Sequence, residues 1–109
     1  MVSPIQIRTN NEVNAYIEKM QERHGDIFFY QSSGCCDGSA LMLYRAGDLL
    51  LGDADLLVGQ ANGVPFYVHQ SQYEMYKDLI PRFDIHKGRG PAFSLDSVEN
   101  QHFTIHWDA

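Results

Sequence analysis

Cys35 and Cys36 stand side by side in QSSGCCDGSALMLY, residues 31–44, with Gly34 before them and Asp37, Gly38 and Ser39 behind. Thiolates act as nucleophiles, as redox couples and as soft metal ligands, so the pair opens three chemistries. Neighbouring side chains on a strand point to opposite faces. Two adjacent cysteines therefore reach one ion only from a turn, which Gly34 and Gly38 favour. Two thiolates are half of a tetrahedral zinc or iron–sulfur site, and the remaining ligands would come from histidines, from Asp37 or from a second subunit. A disulfide between neighbours closes a small, strained ring and would be labile. The Asp37 carboxylate disfavours an adjacent thiolate, an effect that backbone N–H groups of a glycine-rich turn offset. A further reading needs no chemistry: one cysteine is a small core residue and the other faces a loop. The residues alone leave these readings open, with Cys35, Cys36, Asp37 and Ser39 as the candidate ligand or thiol site and Cys35 and Cys36 as its metal ligands.

A second cluster lies in RFDIHKGRGPAF, residues 82–93, where Arg82, Lys87 and Arg89 concentrate three of the chain's eight Lys and Arg residues beside His86. Gly88 and Gly90 expose backbone N–H groups there, and a carboxylate or phosphate could sit among them. The alternative is a solvated glycine loop that happens to be basic. The histidines are not a metal set along one strand. If 102–107 is a strand, His102, Thr104 and His106 share its polar face, and four residues span ~13 Å at ~3.3 Å each, beyond the reach of one ion. His102 and His106 then read as a solvated or interfacial pair, His69 as a surface residue, and His24 as a favourable charge at a helix C-terminus. No histidine accompanies a Ser–Asp pattern of a hydrolase triad, and GxGxxG, P-loop and CxxC motifs are absent from the sequence.

The elements that must position these residues follow from the hydrophobic pattern. The chain has 109 residues, 44% hydrophobic and 20% charged, so one folded domain with a modest core is expected. Ile5 and Ile7 suggest an N-terminal edge strand. Thr9-Asn10-Asn11-Glu12 fits a capping box, and Val13, Tyr16, Ile17 and Met20 fall on one helical face, predicting a helix over 10–24 that stops at Gly25. IFFY (27–30) and ALMLYR (40–45) read as strands around the GCCDG turn. Turns follow at 46–48 and 52–55. Strands at 56–60 and 64–69 flank Ala61-Asn62-Gly63, a strong hairpin signal. Ser71-Gln72-Tyr73-Glu74 repeats the capping pattern, predicting a short helix over 72–79 that ends before Pro81. Segments 82–86, 92–95 and 102–107 complete the strands, with Phe103, Ile105 and Trp107 forming one apolar face. Many short strands with two helices make the fold class α+β, with mixed or antiparallel sheets.

Net charge is −6, which disfavours nonspecific nucleic-acid binding and anionic membranes. No apolar run approaches the ~20 residues that span a bilayer. The start, MVSPIQIRTNNE, lacks a signal-peptide pattern, and two adjacent cysteines make no disulfide framework, so a cytoplasmic location with reduced thiols is expected. The high apolar and aromatic content makes a homodimer the expected assembly.

The stretch FFYQSSGCCDGSALMLY resembles the hallmark of the bacterial domain-of-unknown-function family 779, whose core reads roughly Ser-Gly-Gly-Cys-Cys-Asp-Gly-Ser. DLLVGQANGVPFYVHQSQYEMYK and FDIHKGRGPAFSLDS resemble its middle and C-terminal blocks, so the likeness spans roughly residues 10–105. Ser33 stands where the family usually has Gly, and Leu41 and Leu43 where Pro and a third Cys often occur. Genes of that family often neighbour aldehyde dehydrogenase genes, so the resemblance implies an accessory or partner role in aldehyde metabolism. A second, fold-level likeness is to the A-type iron–sulfur carriers with their HesB-like fold, in which Gly34 to Gly38 would match the first cysteine turn. Their C-terminal Cys-Gly-Cys is absent, and the tail here reads HFTIHWDA. The expectation is an uncharacterised accessory protein, leaning away from catalysis, with the cysteine turn as its working surface, an aldehyde dehydrogenase as a possible partner and no resident cofactor. The alternatives are a thiol redox or aldehyde-handling protein, and a zinc or iron–sulfur carrier sharing cysteines across a dimer.

Overall fold

A computed structural model describes residues 5–32, 40–48, 51–76, 78–88 and 101–108. The described elements run β1 (Ile5–Gln6), α1 (Asn11–His24), β2 (Ile27–Ser32), β3 (Ala40–Arg45), β4 (Asp55–Ala61), β5 (Val64–His69), α2 (Gln70–Tyr76), β6 (Ile80–Lys87) and β7 (Gln101–Asp108). The fold is α+β, as the pattern of short strands and two helices predicts. The predicted strand at 92–95 lies outside the described residues.

Five strands form a mixed sheet in the order β1-β4-β5-β2-β3, and β6 and β7 form an antiparallel pair of their own. The expected N-terminal edge strand, β1, runs parallel to β4 and then continues to the second sheet. Arg8 N donates to Pro81 O at 3.2 Å, and Phe83 N donates to Arg8 O at 2.9 Å. One extended lead thus stitches the two sheets together.

The core lies between the sheets. Phe29, Leu43, Phe66 and Val68 present the inner face of the large sheet. The stripe of α1 (Val13, Tyr16, Ile17 and Met20) and the inward residues Phe83 and Phe103 of β6 and β7 close over it. Rings fill the centre: Phe29 meets Phe83 and Phe103 with centroids 4.7 and 4.9 Å apart, and Tyr16 stacks on Phe103 at 4.7 Å. Fully burying a side chain of this size contributes about 1.5–3 kcal/mol, so this cluster dominates what holds β6–β7 against the large sheet.

Local signals mostly worked, with two shifts in helix start. Asn10 caps α1, its Oδ1 accepting from Val13 N at 2.8 Å, so the helix begins at Asn11. The capping pattern that begins at Thr9 is therefore displaced by one residue. The helix predicted over 72–79 runs instead from Gln70 to Tyr76. Gln70 N donates to Ala54 O at 2.7 Å, and the His69 ring accepts from Ser71 N at 3.2 Å. The histidine ring occupies the capping role expected of the serine. In the β4–β5 hairpin, Asn62 and Gly63 both adopt positive φ, 49° and 83°. Those are the left-handed positions that an Asn-Gly turn supplies at least cost.

Candidate functional site

Cys35, Cys36, Asp37 and Ser39 lie outside the described residues, and Arg89 does too. The strands on either side of the cysteine segment are described. Ser32 and Ala40 are register partners at the ends of β2 and β3. Just before this end stands Gln31, fully buried. Its Oε1 accepts from Trp107 Nε1 at 2.8 Å, and its Nε2 donates to Gln72 Oε1 at 3.2 Å. A buried amide without partners would cost roughly 1–3 kcal/mol. Here it joins β2, β7 and α2 at one point, four residues before Cys35.

The basic segment is divided by strand alternation. Arg82 and His86 share one face of β6, and Lys87 points to the other. The Arg82 guanidinium is engaged by carboxylates: its Nε lies 3.0 Å from Asp108 Oδ2, and Nη1 lies 3.7 Å from Asp84 Oδ2.

The face that carries Arg82 holds a group the sequence did not bring together. β6 and β7 pair with Arg82 opposite His106, Asp84 opposite Thr104 and His86 opposite His102. All six side chains project from the same side of the ribbon, because opposed residues on paired strands share a face. The His86 ring lies between the other two, 6.3 Å from His102 and 6.3 Å from His106, centroid to centroid. One ligand atom each of Asp84, His86 and His106 lies within 4.8 Å of the others. The spacing argument for His102 and His106 along one strand stands; His86 enters from the neighbouring strand. The signal was present as two period-2 patterns, Asp84-x-His86 and His102-x-Thr104-x-His106. Only the pairing of β6 with β7 converts them into a cluster.

Asp84 is held ionised. Its Oδ1 accepts from Ile85 N at 2.8 Å and from Asn10 Nδ2 at 3.5 Å. The backbone N–H of Ile85 is the largest influence lowering its pKa, and Asn10, His86 and Arg82 act in the same direction. His102 Nδ1 lies 2.9 Å from Gly88 O. A carbonyl oxygen only accepts, so Nδ1 carries the proton in this contact. Thr104 Oγ1, between the two histidines of β7, is buried and makes no hydrogen bond among the described residues.

The outer face of the large sheet is aromatic. Phe28 and Tyr30 of β2, Met42 and Tyr44 of β3, and Tyr67 of β5 all lie on the side away from the core. Phe28 sits 5.6 Å from Tyr44 and 5.8 Å from Tyr67, centroid to centroid. Leu57, opposite Tyr67 in the β4–β5 register, is 46% exposed. The Tyr30 hydroxyl donates to Asp55 Oδ1 at 2.6 Å. Burial first, and then the Asp55 carboxylate, push the Tyr30 phenol well above its ordinary pKa. Asp55 is lowered, chiefly by the Gly52 N–H it accepts from and next by Tyr30. Beside this face opens a recess of about 440 Å³ whose walls include Gln21, Asp26, Phe28, Leu51, Pro65 and Tyr67. That size suits a small ligand or the side chain of a partner.

No helix among the described residues is long and apolar enough to cross a membrane. The family model described as a domain of unknown function, DUF779, matches residues 16–108. No curated protein matches the sequence.

Proposed function

We propose that this chain, which belongs to the DUF779 family, is a noncatalytic accessory protein of aldehyde metabolism that binds an aldehyde dehydrogenase. The contact is the aromatic outer face of the large sheet, and the Cys35–Cys36 segment, which lies in the sequence between β2 and β3, is the working surface. The observation that carries this reading is the composition of that face. The half-buried Tyr30, Tyr44 and Tyr67 and the exposed Leu57 lie on the side opposite the one that α1 and the β6–β7 pair cover, where Phe28 and Met42 are buried among them. Tyrosine, the accessible aromatic of this face, is enriched where proteins meet. The adjoining recess offers a socket for an anchoring side chain. β2 and β3, which carry much of the face, are the strands that the cysteine segment connects. The family resemblance, with its gene neighbourhood, supplies the identity of the partner.

Affinity capture tests this reading. An aldehyde dehydrogenase from the organism that makes this chain is immobilised, and the chain is passed over it with its thiols reduced. Retention of the wild type, loss of retention in Leu57→Glu and weakening in Cys35→Ser/Cys36→Ser are expected. Leu57 is exposed, so the charge disturbs the face without entering the core. A wild type that passes through unretained contradicts the proposal.

A further inference from the structure

We propose that Asp84, His86 and His106 form a binding site for a divalent transition ion, zinc in the first place. The site draws no ligand from the cysteines and does not depend on a dehydrogenase partner. Two neutral imidazoles and one carboxylate make a donor set that suits zinc, with a fourth position left for water or a small ligand.

The geometry favours closure on an ion. The three ligand atoms already lie within 4.8 Å of one another. Tetrahedral ligands at 2.0–2.2 Å from zinc stand about 3.3–3.6 Å apart. Both rings are exposed, so small rotations about their side-chain bonds bring them in without moving the backbone. The backbone itself is fixed, because the ligands come from two strands paired over eight successive residues.

The surroundings supply what a metal centre needs beyond its ligands. Ile85 N and Asn10 hold the Asp84 carboxylate in one orientation, and partners of this kind typically sustain 10–100-fold in metal affinity. Thr104 stands directly opposite Asp84, and its Oγ1 is a buried polar atom with no hydrogen bond among the described residues. A water on the ion would give that hydroxyl a partner. One group opposes loading: Arg82 Nη1, 3.7 Å from Asp84 Oδ2. Its Nε is held by Asp108 at 3.0 Å, which gives the guanidinium an alternative carboxylate when an ion takes Asp84.

The test uses tag-free protein carrying Cys35→Ser and Cys36→Ser, so that thiolates contribute nothing. Metal-free protein is titrated with Co²⁺ and read by visible absorption, then with Zn²⁺ in competition. Histidine ring ¹⁵N signals are followed during the zinc titration. One saturable equivalent is expected, with His86 and His106 the rings that shift and His24 unchanged. His86→Ala and His106→Ala should each lower affinity at least ~10-fold, since losing a ligand costs no less than losing a group that orients one. Arg82→Gln should raise affinity. Absence of a saturable equivalent overturns the site, as does binding that both alanine variants leave intact. The ring shifts are read on protein with every histidine present, so the result stands even if an alanine variant folds poorly.

Discussion

Gln31 shows how much of this molecule turns on single polar contacts. It is a fully buried polar residue, and its amide binds Trp107 on one side and Gln72 on the other. Gln31→Leu keeps most of the volume and deletes both bonds. A loss of about 1–3 kcal/mol is expected, read as a lower denaturation midpoint at unchanged slope. Acid sensitivity is also set residue by residue. Asp55 and Asp84 both have pKa values lowered in the folded chain. Each carboxylate therefore binds its proton more weakly when folded than when unfolded. The stability they contribute is complete above the unfolded value, near 3.8, and is lost as pH falls through the lower folded value. Thermal melts between pH 6 and pH 2 should fall steeply only at the acid end. Asp55→Asn should flatten that fall; an unchanged slope contradicts this account of Asp55.

At the scale of elements, caps and turns decide where strands and helices begin. Asn10→Ala removes the acceptor for Val13 N and is expected to cost about 1 kcal/mol, measured by thermal or chemical unfolding. Gly63 sits at φ 83°, and Gly63→Ala forces a left-handed alanine there at about 1–2 kcal/mol. Much of this level was legible in the sequence. The face of α1, the Asn-Gly hairpin, and the alternation that turns Phe103 inward and His102 and His106 outward all follow from period and turn chemistry. The shift from Thr9 to Asn10 was not legible, because Thr and Asn are both good caps and only backbone geometry chooses between them. The His69 ring as a cap was hidden for a similar reason, since its reach to Ser71 N depends on where β5 ends. The Asp84–His86–His106 group was missed for a deeper reason. Periodicity tells which residues share a face of one strand, but register tells which residues of two strands meet. His86 and His102 are far apart in the chain, and nothing local sets their pairing.

For the whole molecule, the two faces of the large sheet divide the labour. The inner face is closed by α1 and the β6–β7 pair through shared aromatic packing. The outer face, rich in tyrosine, is the surface we assign to a dehydrogenase partner, and the cysteine segment joins two of its strands. The acidic net charge of −6 adds a long-range term to such an encounter. It would accelerate docking onto a basic patch of the enzyme and make the rate sensitive to salt. The His–Asp ribbon lies on the second sheet, so metal binding and partner binding can be separated by mutation. The most direct measurement is sedimentation velocity of the reduced chain mixed with an aldehyde dehydrogenase from the same organism, wild type against Leu57→Glu. A boundary faster than that of the enzyme alone, carrying the chain with it and lost with Leu57→Glu, is the predicted result. Two boundaries that sediment as the separate proteins, with the wild-type chain, would contradict the assignment.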